Sequence, residues 1–344
     1  MRDAWCVKER TAAESDNHTR YASSNPLRTP MTIIRNASDL RPGSKKVCLA
    51  IGVFDGVHLG HQQVIRQMVT DAEQQEAVSV AITFDRHPNT VVAPDRVPPL
   101  IYSLPQKLRA IATLVVETTL LIHFDEPFSR QSGEQFIRGL ARDFGRIHSI
   151  CVGDNFTFGH RRSGNVDLLK KLGEGLKFTV HGLAAVSLDG EPVSSTRIRE
   201  AIRSGQLDLA GQMLGRGYSL AGTVVRGDQL GRRLGFPTAN IDSTGLVLPP
   251  TGVYAVHASV QSRTRRGVLN IGYRPTVQRA TPELRVEVHL LDFADVDLYG
   301  EELELKLIEK IRDEQKFPSL ETLKQQIARD IATAKTRFGT ENES

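Results

Sequence analysis

The sequence is poor in cysteine, in long apolar runs and in clustered charge of one sign. Its three cysteines, Cys6, Cys48 and Cys151, are odd in number and form no CxxC pair, which excludes a disulfide framework and a cysteine-based zinc site. Cys48 and Cys151 fall inside apolar stretches, where a reduced thiol behaves as a small hydrophobe; a reducing, cytoplasmic setting is expected. A membrane-spanning helix needs about 18 apolar residues in a row, and the best stretch, 111–122, is shorter and carries Glu117. The start of the chain lacks the uninterrupted apolar segment of a secretory signal. With 44 Lys+Arg against 40 Asp+Glu the formal net charge is +4, and no block of five or more basic residues occurs. Neither a nucleic-acid surface nor a membrane partner is therefore expected. Anionic small molecules stay open as partners, and self-association is not readable.

What is present is globular in texture. At roughly 100–200 residues per domain, 344 residues predict two domains. Residues 1–30 are polar, aperiodic and end in a Ser/Asn/Pro cluster, which reads as a disordered extension. From Met31 onward, apolar strand-like runs at 47–54, 78–84, 120–124, 147–152 and 178–183 alternate with helical stretches at 59–75, 132–144 and 166–172. That rhythm predicts an α/β unit with a parallel sheet covered on both faces. The Pro-rich stretch 86–110 interrupts it and is expected to form an inserted lid or subdomain. After about Gly215, short runs at 220–225, 253–260, 267–271, 284–291 and 303–311 follow one another across Gly/Pro turns, the pattern of a small antiparallel barrel. A last helix carries Leu320, Leu323, Ile327 and Ile331 in one apolar stripe. The expected limits are 31–214 and 215–344.

The sharpest local pattern is GVFDGVHLGH, Gly52 to His61, which leaves a buried strand and enters a helix. Unpaired N–H groups at a helix start attract phosphate, and glycines such as Gly52 and Gly56 permit close backbone approach. His58 and His61 are three apart, on one face of the first turns, and together offer two donors to charge developing on a phosphate under attack. Taken singly, such a histidine is more often a cap or a satisfied polar residue, and as metal ligands the pair lacks a Cys or carboxylate partner at the usual spacing. VSSTRIR, 193–199, places hydroxyls and a guanidinium at another helix start, either a polyphosphate clamp or a plain N-cap. VGDNFTFG, 152–159, followed by Arg161 and Arg162, sits at a strand's carboxyl end, where open α/β sheets bind ligands, or is a glycine-bounded loop.

In the second half, VVRGDQLGRRLGFPTAN spans 224–240, with Gly227, Gly231 and Gly235 every four residues, a flexible flap. Thr238 and Asn240, two apart on an extended chain, point the same way and offer hard oxygens suited to Mg²⁺, which takes few protein ligands. A Gly/Pro turn would look the same. Glu287 alternates with Val286 and Val288, on the polar face of a strand; it is either a solvated carboxylate or a general base.

These motifs resemble a known family. GVFDGVHLGH with VSSTRIR is similar to the HxGH and SSTxxR signatures of nucleotidyltransferases, and VGDNFTFGHRRSG to the flavin-adenylylating branch of bacterial riboflavin kinase/FAD synthetases. LGRGYSLAGTVV (214–225), GFPTAN, NIGYRPT (270–276), VEVHLLDF (286–293), LYG (298–300) and IRDEQKF (311–317) resemble the riboflavin kinase signatures in order. TFDRHP (83–88) departs from the pattern, with Arg86 where proline is expected. The resemblance implies a Rossmann-like nucleotidyltransferase domain followed by a Greek-key barrel with a C-terminal helix. It implies phosphorylation of riboflavin to FMN in the second domain and adenylylation of FMN to FAD, with pyrophosphate release, in the first. ATP is the co-substrate and Mg²⁺ the cofactor of both. His58 and His61 would stabilise the transition state. Gly52, Phe54, Asp55, Gly56 and Gly60, with Ser195, Thr196 and Arg199, would hold ATP, and Asn155, Phe156 and Arg161 the flavin. In the barrel Glu287 would be the base, Thr238 and Asn240 the Mg²⁺ ligands, Gly227, Gly235 and Pro237 the ATP loop, and Arg312 and Phe317 flavin neighbours. A chain keeping one activity, or a flavin-binding regulator, is the alternative; motifs intact in both halves count against it.

Overall fold

The computed structural model describes residues 19–21, 30–41, 43–260, 263–274, 283–293 and 297–340. The chain divides into two compact units, Met1–Arg197 and Ile198–Ser344.

In the first unit, seven strands form one sheet in the order β1-β2-β5-β4-β3-β6-β7: β1 Thr19–Tyr21, β2 Met31–Ile34, β3 Val47–Ile51, β4 Val78–Phe84, β5 Thr118–Ile122, β6 Ile147–Gly153 and β7 Thr179–Leu183. All pairings are parallel except that of β1 with β2. Thr19–Tyr21, expected to be disordered, thus adds an edge strand, because the backbone of Met31–Ile33 offers it a ladder. The rest of the expected extension, Pro30 apart, lies outside the described residues. The helices are α1 Leu59–Gln74, α2 Asn89–Val92, α3 Leu104–Ala112, α4 Glu126–Ser129, α5 Gly133–Phe144 and α6 Val166–Leu176. A two-residue hairpin, β8 Ser187–Leu188 with β9 Glu191–Pro192, precedes α7.

β3 is buried throughout, from Val47 at 0% exposure to Ile51 at 2%. On one face Phe136, Ile137 and Leu140 of α5 and Leu169 and Leu172 of α6 close over Leu49, Ile51, Ile150 and Val152. On the other face small polar residues meet α1: Ser149 Oγ donates to buried Asp71 at 2.6 Å, and Cys151 Sγ lies 3.6 Å from the same carboxylate. Burial, then the Asp71 charge, pushes the Cys151 thiol up, and burial does the same for Cys48. Both are free thiols of the core.

The expected lid over 86–110 is only partly a separate piece. α2 and the turn Pro94–Arg96 stand off the sheet, but α3 is the crossover helix from β4 to β5, with Ile111 fully buried. Ser103 caps it by accepting from Gln106 N, and the proline within its first turn starts the helix instead of breaking it. From β3 the chain runs outward through β4 to β5, while β6 and β7 lie on the other side. The carboxyl ends of β3 and β6 therefore flank the switch point where open sheets bind ligands.

α7 Ser195–Arg203 crosses the division between the units, and in the second unit α8 Leu207–Leu214 leads into a closed barrel ordered β10-β11-β14-β13-β12-β15. Its elements are β10 Ser219–Val225, α9 Leu230–Leu234, β11 Ala239–Ile241, β12 Gly252–Val260, β13 Arg263–Arg274, β14 Glu283–Leu290 and β15 Glu302–Arg312, then α10 Leu320–Thr340. The meander β12-β13-β14 has β11 beside its last strand and β15 beside its first, the Greek-key arrangement. β11 was not expected: three residues between a proline and a polar loop show no period.

α10 closes one outer face, with Ala334 and Phe338 on Val253, Ala255 and Val268. It is pinned by Arg312, whose Nε and Nη2 donate to Asp330 at 2.9 and 2.8 Å; Asp330 is 4% exposed. Removing one partner of such a buried pair costs about 3–5 kcal/mol. Asp330→Ala should therefore lower the urea midpoint of barrel unfolding, and an unchanged midpoint would contradict this anchoring.

Candidate active sites

The turn after β3 is unusual backbone. Phe54 adopts φ 53°, Gly56 φ 75° and Val57 φ 41°. Gly52 has no room for a Cβ, which would lie 2.6 Å from the Phe54 ring, and one on Gly60 would press on His58 at 3.3 Å. These glycines clear space for the turn's own rings. Phe54 and Asp55, expected among the ATP contacts, are 1% and 4% exposed. The Asp55 carboxylate accepts from Ile101 N at 3.0 Å and Tyr102 N at 3.3 Å, so both buried side chains anchor the turn. His58 caps α1, its Nδ1 accepting from His61 N at 3.4 Å. The rings of His58 and His61 stack with centroids 3.6 Å apart. Nδ1 being an acceptor, the neutral His58 ring carries its proton on Nε2.

The start of α7 is tied to this turn, Ser195 Oγ donating to Asp55 O at 3.1 Å. The N-cap is Ser194, which accepts from Arg197 N, so the N-cap reading applies one residue before the expected hydroxyls. Thr196 is exposed and Arg199, one turn further on, is buried.

After β6 the chain forms a hairpin closed by paired hydrogen bonds between Phe158 and Gly164. Gly159, at φ 74°, lies so close to α5 that a Cβ would sit 2.2 Å from Gly133 N. Gly133 N also donates to Ser163 Oγ, and His160 N to Gln131 O. The hairpin is thus clamped onto the start of α5, presenting exposed Arg161 and Arg162. Asn155 is exposed and Phe156 half-buried, stacked on Phe158 at 5.2 Å. Phe156 ends a continuous series through Phe158, Phe136, Phe128, Phe124 and Phe84, neighbouring centroids 5.2–6.2 Å apart. This aromatic wall escaped sequence reasoning because its members come from five segments. Beside it Asp85 accepts from His123 Nδ1 at 2.6 Å. Burial opposes its charge, but His123, Phe124 N–H and Arg86 outweigh that and hold Asp85 below the usual range.

On the barrel, strand register lines up Asn240 with Glu287, Glu287 with Asn270, Asn270 with Val253 and Val253 with Arg312. Directly paired residues share a face, so four polar side chains stand in one row. Arg285 Nη1 lies 3.9 Å from Glu287 and donates to Asp228 at 2.7 Å; His289 Nδ1 lies 2.8 Å from Pro237 O. The spaced glycines have separate tasks. A Cβ on Gly227 would lie 2.2 Å from Asn240 Nδ2, one on Gly231 would lie 2.4 Å from Phe236 O and 3.1 Å from Thr238 Oγ1, and Gly235, at φ 89°, ends α9. Thr238 and Ala239 both line a cleft of about 250 Å³ with Arg232, Val288, Phe293 and Tyr299. β11 begins only at Ala239, so strand alternation does not reach back to Thr238, which faces the cleft while Asn240 pairs with Glu287. Arg312, expected beside a flavin, is held in the Asp330 fork, its guanidinium 5.7 Å over the Phe317 ring. Asn270, Arg285 and Asp228 were missed, since only register and loop packing bring them to Glu287.

A helix-start turn at the switch point of a parallel sheet, and separately a polar row and a cleft on a closed barrel, offer two candidate group-transfer sites in one chain. The FAD synthetase family matches residues 41–197 and the riboflavin kinase family residues 214–338. The bifunctional riboflavin kinase/FMN adenylyltransferase of Escherichia coli K12 is 39% identical over 311 residues, 90% of this chain and 98% of that one. The protein of the same description from Haemophilus influenzae is 36% identical, covering 90% and 100%. A crystal structure described as a macrolide-efflux protein from Streptococcus pneumoniae shares a TM-score of 0.73 and 29% identity, over 88% of this chain and 98% of that one. Among the described residues here, no helix is long and apolar enough to cross a membrane. The chain belongs to the bifunctional riboflavin kinase/FMN adenylyltransferase family, with both domains present: it phosphorylates riboflavin to FMN and adenylylates FMN to FAD.

The hairpin clamp carries a prediction. Gly159→Ala cannot keep the contact with Gly133, and displacing a substrate-holding segment by an ångström costs about a hundredfold in rate. FAD formation from supplied FMN should fall by that order while riboflavin phosphorylation persists; undiminished FAD formation would show the hairpin to be dispensable.

Proposed function

We propose that the two activities use two separate residue sets, within modules at 31–214 and 215–344. In adenylylation an oxygen of the FMN phosphate attacks the α-phosphorus of ATP, and the bond to the β-phosphate breaks to release pyrophosphate. The stacked His58–His61 pair meets the charge growing on the α-phosphoryl oxygens. Backbone N–H groups of the Gly52–Gly60 turn, with Ser195, Thr196 and Arg199, hold the polyphosphate. Asn155, Phe156 and Arg161 hold the flavin side. The proximity of His58 and His61 is what favours a joint role.

In phosphorylation Glu287 takes the proton of the ribityl 5′-hydroxyl as its oxygen bonds to the γ-phosphorus, and ADP leaves. The register row carries this reading. Glu287 and Arg312 are three strands apart, about 14 Å at the usual strand spacing, which suits an extended ribityl chain with its ring system toward Phe317. Asp330 makes Arg312 a support for that end. Gly227, Gly235 and Pro237 shape the ATP loop. For Mg²⁺, the hard oxygens of Thr238, at the cleft, and Asn240, beside Glu287, are the donors that would hold the ion, which keeps phosphate and water ligands; Gly231 packs close to the first and Gly227 to the second. Among the described residues no cluster of three His, Cys, Asp or Glu competes for a metal. When bound there, the ion would neutralise phosphate charge. Buried free Cys48 and Cys151 suit a cytoplasmic setting.

Glu287→Gln should lower riboflavin phosphorylation by about 10²–10⁴-fold and leave FAD formation from supplied FMN intact, read by chromatographic separation of the flavins. Equal loss of both activities would sink the two-set assignment. His58→Ala with His61→Ala should halt FAD formation and let FMN accumulate; surviving adenylylation would remove these histidines from the mechanism.

A further inference from the structure

A buried cation that neither residue set uses lies against the phosphate turn. Lys107 of α3 is 7% exposed, and its Nζ donates to Phe84 O at 2.7 Å, Val53 O at 3.3 Å and Thr83 Oγ1 at 3.3 Å. Thr83 Oγ1 itself donates to Val53 O at 3.0 Å. Val53 belongs to the turn that leads to His58, whereas Thr83 and Phe84 end β4. One ammonium therefore fastens the phosphate turn to the carboxyl end of the neighbouring strand. All three acceptors are neutral oxygens, an expensive setting for a buried charge. A leucine or methionine would fill the same core position without that cost.

We propose that Lys107 is a positioning residue for adenylyl transfer, locking the β3 turn to the end of β4 so that His58 and His61 meet the α-phosphate in register. The charged groups facing it are Asp55, from the turn, and Asp85, from the end of β4; Asp85 is itself held by His123 at the end of β5 and by Arg86. Burial pulls Lys107 down to about 8, against these two carboxylates. The lock is charged at neutral pH and weakens as the ammonium deprotonates above that value. Neutral Lys107 keeps only two N–H donors for its three acceptors.

The proposal rests on the Gly52–His61 turn being the adenylylation site, and the two ideas fail separately: the double histidine variant tests the turn, Lys107 variants test the lock. The experiment measures FAD formation from FMN and ATP by the full chain from about pH 6.5 to about pH 9.5, with riboflavin phosphorylation as the control for the barrel and an unchanged circular-dichroism melt as the control for folding of the α/β unit. Wild type should lose kcat along an alkaline limb near pH 8. Lys107→Met should lower kcat at neutral pH by about a hundredfold, with little change in the KM for ATP, and should lack the limb. Thr83→Val removes one acceptor of the ammonium and should move the limb to lower pH. A limb that survives in Lys107→Met, a wild-type profile without one, or an undiminished kcat overturns the proposal. If Lys107→Met also loses riboflavin phosphorylation, Thr83→Val decides: a shifted limb supports the lock and an unmoved one overturns it.

Discussion

Two opposite buried charges hold the phosphate turn. The Asp55 carboxylate gathers the N–H groups of Ile101 and Tyr102, and the Lys107 ammonium gathers the carbonyls of Val53 and Phe84. Between them they fix the backbone on either side of Phe54, whose φ of 53° a free turn would seldom adopt. Everything after follows from that fixed exit: the start of α1, the stacking of His61 on His58, and the bond from Ser195 to Asp55 O. The shape of the turn is thus set by residues far along the chain.

The barrel solves the same problem differently. Its polar row is generated by register, since antiparallel pairing puts Asn240, Glu287, Asn270 and Arg312 on one face without any of them being adjacent in sequence. The segments that frame the row are pinned by side chains of the same strands: two loops by Arg285 to Asp228 and His289 to Pro237, and the helix α10 by Arg312 to Asp330. Removing a pin would misplace its segment while leaving the row in the sheet.

Much of this was legible in the sequence because the relevant signals are local. β3 reads as buried since it has water on neither face, and the turn reads as a phosphate site since its glycines and histidines are consecutive. The N-terminal edge strand was hidden by polar residues whose pairing is purely backbone. α3 was hidden by a proline that is favourable in a first helical turn. Phe54 and Asp55 read as ligand contacts because they sit within the motif, and the fold buries both side chains. Phe84, Phe156, Phe158 and Asn270 lie inside motifs and Lys107 lies in none, yet each acquires its neighbours only when distant segments meet.

The central claim is that FMN made on the barrel is the substrate of a separate site on the α/β unit. The most direct measurement mixes full-length Glu287→Gln with full-length His58→Ala/His61→Ala and supplies riboflavin, ATP and Mg²⁺. Over a time course in which wild type converts all its riboflavin, Glu287→Gln alone should leave nearly all of it unconverted, the histidine variant alone should stop at FMN, and the mixture should make FAD. FAD from either variant alone, or none from the mixture, would contradict it.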